Sequence, residues 1–217
     1  MPNSFAKFSR LKLLPVAAFA LAGCAGHSDF MTKVPQGTPA VAPVNDHATI
    51  AFIRDSGIGF AVNFSIIDQA GNLLGDAVAR SHFALQLPAG RYFFFARGGE
   101  NTDVVRADVG AGRVYYVHVV PHFGVWVARV ELDPIKPNEL EAGSLRSWLA
   151  ATAHLAPLIP KVPTSITENA LPDWASKSWS TLSPSDQAAH SLAPNDGWPV
   201  RSAEPSPATV AVDVDVH

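Results

Sequence analysis

The chain has a single cysteine among 217 residues, Cys24. One cysteine excludes an intramolecular disulfide, and cysteine-based zinc sites need several. Charge is also scarce. Only 16% of residues are Asp, Glu, Lys or Arg, and the formal net charge is −3. Removing a leader that holds Lys7, Arg10 and Lys12 and no acid would take that charge to −6. No basic surface for nucleic acid is expected from such a balance. Catalytic signatures are missing as well. There is no Gly-x-Ser-x-Gly elbow, no activated cysteine, and Gly98-Gly99 lacks the following helix of a phosphate loop. No catalytic residue, cofactor or metal site is assigned, and the leading expectation is a protein that is not an enzyme.

What is present begins at the N-terminus. Three positive charges in residues 1–12 precede the short apolar run Leu13–Ala22, too brief to span a bilayer, which takes about 20 apolar residues. Charge, length and the small residues that follow match a secretory signal. The run ends Leu21-Ala22-Gly23-Cys24, which resembles the lipobox of bacterial lipoproteins at all four positions. The resemblance implies that Leu21, Ala22 and Gly23 are the signal-peptidase recognition residues of a signal peptide over 1–23. It further implies diacylglyceryl and acyl chains (palmitate among them) on Cys24, which together give stable membrane attachment where one chain would not. Ala25, rather than aspartate, after the cysteine favours the outer membrane, facing the periplasm.

Residues 24–46 carry scattered prolines and small residues without apolar periodicity, and read as a lipidated N-terminus and flexible tether. About 20 such residues span roughly 25 Å as a random coil. His27 and His47 at its edges are expected in solvent.

Residues 47–135 read as one β domain. Strands are expected over 48–54, 62–68, 73–78, 82–87, 91–97, 103–109, 114–120 and 125–132, with turn residues between them. Its centre is a doubled phrase, ALQLPAGRYFFF at 84–95 and ADVGAGRVYYVH at 107–118. Each half places Ala-Gly-Arg before an aromatic strand, so Gly90 and Gly112 are expected to serve positive-φ reversals within one sheet framework. The fold class expected is mainly β, an antiparallel β-sandwich of about eight strands, immunoglobulin/transthyretin-like.

Residues Ala48, Ile50 and Arg54, then Leu87, Pro88, Gly90 and Tyr92, then Val109, Ala111, Gly112, Tyr115, Tyr116 and Val117 carry a further likeness. On these the domain resembles a family of small bacterial lipoproteins known only as a domain of unknown function. The departures are the alanine before Gly90 and valine for leucine at Val109. The resemblance implies a fold and no activity.

Eleven of eighteen prolines and four of five tryptophans lie beyond Asp133. Residues 136–200 read as a short helical Pro/Trp-rich appendage: one helix over 140–155, a second around Trp174 and Trp179, and a third opening at Ser183-Pro184. The tryptophans are expected to dock helices on the sheet. Residues 201–217 form a tail whose alternating Val210, Val212, Val214 and Val216 would suit an edge strand; Asp213, Asp215 and His217 alternate with them and make no metal site.

Three groups of residues are candidates for chemistry. His118 and His122, four apart on a strand, would stand about 13 Å apart, too far to share zinc. Asp103, Asp108, Glu131 and Asp133 could oppose one another as glycosidase-type carboxylates or serve as solvated strand edges. Arg54, Arg91 and Arg113 could form an anion-binding patch or pair with local acids. The expected function is a lipid-anchored envelope protein acting as a non-catalytic binding or structural module, contacting an envelope protein or glycan. A small hydrolase or metal-dependent enzyme, and a hydrophobic-ligand or lipid-binding sandwich, are the alternatives.

Overall fold

The computed structural model describes residues 26–35, 37–39, 41 and 44–200; the lipobox, Cys24 and the 201–217 tail lie outside it. The chain is mainly β. In order it forms β1 (Met31–Lys33), β2 (Ala48–Arg54), β3 (Phe64–Asp68), β4 (Leu73–Ala77), β5 (Ser81–Leu87), β6 (Gly90–Arg97), β7 (Thr102–Val109), β8 (Arg113–His122) and β9 (Arg129–Ile135). Then come α1 (Leu145–Ala151), β10 (Ala153–Pro157), α2 (Asp173–Ser180), α3 (Pro184–Ala189), β11 (Ser191–Leu192) and β12 (Trp198–Pro199). One sheet runs β1-β10-β5-β2-β8-β12, with β9 also on β8; the other runs β11-β7-β6-β3-β4.

Both sheets contribute to one core. Ile50, Phe52, Phe83 and Val117 from the first meet Phe64, Ile66, Phe94 and Val105 from the second. Phe52 stacks on Phe83 at 5.3 Å and meets Phe94 edge-on at 5.4 Å. Each sheet also buries its other face. Leu145 and Leu149 of α1 cover Ala51, Ile53 and Tyr116, while Ala175 and Trp179 of α2 cover Ile67, Phe93 and Phe95. Burial on both faces explains the uninterrupted apolar runs of β6 and β8.

Several expectations need correction. The sheets are mixed, because β2 lies parallel to β8, β10 to β5 and β11 to β7. Among the described residues there are twelve strands, and four of them (β1, β10, β11 and β12) are pieces too short to show periodicity. The domain therefore does not end at residue 135. The 136–200 segment supplies three strands of the two sheets, and the stretch read as a free tether supplies β1, antiparallel to β10, with Met31 and Val41 buried. The helix expected over 140–155 is a 3-10 turn and a short α1, after which the chain extends into β10.

The doubled phrase is not one framework. Its first turn carries the chain from β5 in one sheet to β6 in the other, and its second carries it back from β7 to β8. Only Gly112 has positive φ, +68°. Gly90 sits in regular strand pairing with Val109, and a Cβ there would stand 2.8 Å from Ser165 Cβ. It is glycine because another segment passes too close, a cause invisible in local sequence. The last strand starts at Arg129, not Val125, and residues 123–128 form a loop.

The C-terminal tryptophans dock as expected. Trp179 meets Phe93 edge-on at 5.5 Å, Trp174 packs on Phe95 at 4.6 Å, Trp198 on Tyr116 at 5.1 Å, and Trp148 stacks on His118 at 4.2 Å. α3 opens as its sequence signals, with Pro184 at its first position and the Ser183 hydroxyl accepting the Asp186 N–H at 3.2 Å.

Candidate functional site

A cleft of about 430 Å³ lies where β7, β9 and α3 converge, with Asn101, Asp103, His122, Arg129, Glu131 and His190 in its lining and Phe123 at its rim. It exists because β7 and β9 belong to different sheets but meet along one seam. Asn101 Nδ2 donates to Val130 O at 2.7 Å and Asn101 Oδ1 accepts from Val130 N at 2.9 Å. Two residues on, Asp103 Oδ2 accepts from Leu132 N at 2.6 Å. Asn101, just before β7, and Asp103 on it thus satisfy an edge of β9 that no strand covers among the described residues. Gly98 and Gly99 make the approach possible, since a Cβ on Gly99 would overlap Val127 Cγ1 at 2.2 Å.

Asp103 is the chemically unusual group. Burial pushes its carboxyl above the ordinary range, opposed by the Leu132 N–H and by His190 and reinforced by the negative charge of Glu131. His190 follows α3, and its Nδ1 stands 3.0 Å from Val104 O and 3.6 Å from Asp103 Oδ2. A carbonyl can only accept, so Nδ1 carries the proton and the neutral ring has its lone pair on Nε2. At the mouth, His122 Nε2 pairs with Glu131 Oε2 at 2.6 Å. The cleft offers donors, acceptors and both signs of charge around one aromatic edge, a lining suited to a polar ligand of modest size.

The remaining candidates are dispersed. Asp108 is held by Arg91 through Nε at 2.5 Å and Nη2 at 3.0 Å. Asp133 pairs across β8–β9 with His118, its carboxyl raised chiefly by burial. His118 bonds Asp55 at 2.8 Å under Trp148, whereas His122 reaches Glu131, so the two histidines share nothing. Among the described residues no three His, Cys, Asp or Glu side chains are placed to hold a metal ion. Arg113 Nη1 donates to Gly197 O at 2.6 Å, and Arg54 is buried elsewhere, so no arginine patch forms. His27 and His47 lie beside Asp29 and Asp46 at the surface.

Two features were not read from the sequence. His82 and His154 stack at 4.9 Å across the parallel β5–β10 pair, with His82 Nδ1 2.7 Å from Thr152 Oγ1. A strand as short as β10 has no pattern to reveal that pairing. An apolar groove of about 440 Å³ also runs between Phe30, Leu73, Leu74, Leu158 and Ile159. No helix among the described residues is long and apolar enough to cross a membrane. No protein-family model, curated protein or solved structure matches the chain.

Proposed function

We propose that this chain is a bacterial envelope lipoprotein, anchored through acylated Cys24 in the outer membrane, whose β domain is a non-catalytic module that binds an envelope glycan in the β7–β9 cleft. One observation carries the binding reading. The polar groups of the cleft are already fixed by the fold, Asn101 on Val130, Asp103 on Leu132, His190 on Val104 and His122 on Glu131. Groups held in place cost little further ordering when a ligand arrives, which favours recognition. Two sheets around one core support the finer reading of an immunoglobulin/transthyretin-like sandwich, and with it the unassigned lipoprotein family that the strand motifs resemble.

Two experiments test the reading. Metabolic labelling with clickable palmitate should mark the wild type and spare Cys24→Ala; an unlabelled wild type refutes the anchor. Titration with soluble peptidoglycan fragments should give binding that Glu131→Gln with Asp103→Asn weakens, whereas recovery of a protein alone by envelope crosslinking would replace the glycan by a protein partner. A hydrolase is the second reading, favoured by the raised Asp103 carboxyl beside Glu131. Turnover of those fragments, lost in Asp103→Asn, would establish it. The Phe30–Ile159 groove favours a hydrophobic ligand, for which displacement of a bound fluorescent fatty acid is the assay.

A further inference from the structure

The parallel pairing of β2 and β8 sends the loops that follow them out of the same end of the molecule. Residues 55–63 leave β2 and residues 123–128 leave β8. They touch, since a Cβ on Gly59 would lie 3.9 Å from Ala128 Cβ. The β6–β7 turn joins them, with Gly99 N donating to Ala128 O at 2.9 Å. This end carries the most exposed aromatic side chains of the described protein, Phe123 at 87% and Trp126 at 91%, with Val125 at 80%, Phe60 at 56% and Ile58 at 47%. Exposed apolar side chains gathered on touching loops suit an interaction surface.

The loops are built to hold these side chains outward. The Glu100 carboxylate accepts three successive amides, Val125 N at 2.9 Å, Trp126 N, and Val127 N at 2.7 Å. Those bonds, Val127 first, hold its carboxyl below the ordinary value. On the neighbouring loop the buried Arg54 guanidinium donates to Ile58 O at 2.7 Å and Gly59 O at 2.9 Å, fixing the backbone that presents Ile58 and Phe60. Two exposed cations belong to these loops: Arg80, whose Nε would lie 3.0 Å from a Cβ on Gly57, and Arg129, which ends the second loop.

The start of the described chain lies at this same end. A Cβ on Gly26 would lie 3.1 Å from Phe60 O, and Asn63 Nδ2 donates to His27 O at 2.6 Å. Cys24 is two residues upstream, at most about 7 Å of extended chain.

We infer that this end is a bilayer-insertion tip: Val125 and Trp126, with Ile58 and Phe60 beside them, enter the interface of an anionic phospholipid membrane while Arg80 and Arg129 meet its phosphates. The inference rests on the lipoprotein reading for the position of the membrane. Tryptophan and arginine are the side chains that settle at the boundary between acyl chains and headgroups. An anchor on Cys24, at most about 7 Å of chain from Gly26, would hold this end toward the lipid.

The test uses the mature protein purified from its membrane and reconstituted in phosphatidylethanolamine–phosphatidylglycerol vesicles containing brominated acyl chains. Wild-type fluorescence should be quenched, and Trp126→Ala should lose most of that quenching while its melting temperature stays unchanged, as expected for so exposed a residue. Equal quenching of wild type and Trp126→Ala overturns the inference. So does a photo-crosslinker at position 126 that captures an envelope protein while the bromolipids leave wild-type fluorescence untouched. The palmitate measurement on the same preparation separates the two claims. Quenching at Trp126 without palmitate leaves the tip standing and removes the anchor, and palmitate without quenching does the reverse.

Discussion

Arg54 is the most consequential single residue in the fold. Its side chain is fully buried, and no acid lies among its hydrogen-bond partners. Nη1 donates to Val62 O at 2.7 Å and Ala77 O at 2.9 Å, Nη2 to Ile58 O and Gly59 O, and the guanidinium carbon lies 4.6 Å over the Phe64 ring. Its Nε is buried without a hydrogen-bond partner among the described residues. Burial lowers its pKa to about 10, roughly 2.5 below the usual arginine value. That corresponds to a desolvation cost of roughly 3 kcal/mol at 1.36 kcal/mol per unit. Four hydrogen bonds to a charged donor contribute about 1.5–3 kcal/mol each, or about 6–12 kcal/mol together. After desolvation and about 2 kcal/mol of side-chain ordering, the net contribution is about 1–7 kcal/mol, with about 4 kcal/mol at its centre. Arg54→Met should therefore lower stability by about 4 kcal/mol and the melting temperature by about 8–16 °C at 2–4 °C per kcal/mol. Arg54→Lys keeps the charge but lacks the planar fork that spans four carbonyls, and should recover less than half of the loss. Urea unfolding followed by far-ultraviolet circular dichroism measures both, with an unchanged slope showing that the two end states are unaltered. A loss under about 1 kcal/mol in Arg54→Met would refute this account of how the loop end is held.

Other consequences follow from the same contacts. Glu100→Ala should speed exchange of the Val125, Trp126 and Val127 amides. In the wild type the Glu100 carboxyl lies below its usual 4.5, so amide protection should be complete above that value and be lost as pH falls through the lowered pKa; hydrogen exchange followed by mass spectrometry reads both. Asp103 runs the other way. A carboxyl raised by burial binds its proton more tightly in the native state, so its contribution falls as pH rises from 3.8 through the raised pKa. Asp103→Asn should flatten that decline, and a steeper decline would contradict it. Burial lowers the His154 pKa, so the stability it contributes is present above 6.5 and is lost on acidification. His154→Phe should shift less between pH 7 and pH 5 than the wild type in thermal unfolding. Gly112→Ala, at φ +68°, should cost about 1–2 kcal/mol, with Asn tolerated better than Ala. Gly90→Ala should cost about 1–3 kcal/mol by overpacking and be relieved by Ser165→Gly, as denaturant midpoints would show.

What the sequence revealed divides along physical lines. Each long strand from β2 to β8 was legible because apolar and β-branched residues stand between strong turn residues, and Ala48–Arg54 was read to the residue. The docking of the four C-terminal tryptophans was legible because large aromatic side chains spaced along short helical segments anchor them on a sheet. Sheet membership was not legible. Ala-Gly-Arg turns look the same whether they close a hairpin or carry the chain to the opposite sheet, and the parallel β2–β8 pair follows from that choice. The cleft was half visible. Asp103 and Glu131 were among the acids weighed, but His190 lies 87 residues from Asp103 in the chain and Asn101 in a turn, and only the seam between sheets brings them together. The exposed tip was misread because Val125-Trp126-Val127 has the composition of a strand. It is a loop because its three amides bond a carboxylate instead of a neighbouring strand.

That misreading and the loss of the free tether bear on one another. A 20-residue coil would let the domain stand roughly 25 Å from its anchor and turn freely, so that no loop would face the lipid more than another. The structure removes that freedom. Ser28 Oγ donates to Asp76 at 2.6 Å, Met31 is buried beside β4, and Met31–Lys33 pairs with β10, which pins the N-terminal segment to the body of the fold from Gly26 onward. If Cys24 carries the lipid, as proposed, the distance that matters is two residues and not twenty. A domain held that closely must present one end to the bilayer, and the end next to Gly26 is the one bearing Phe60, Phe123 and Trp126. Inserting Gly-Ser repeats between Cys24 and Gly26 should therefore leave Trp126 quenched by bromolipids if the tip has its own affinity for lipid, and release it if the anchor alone holds it there.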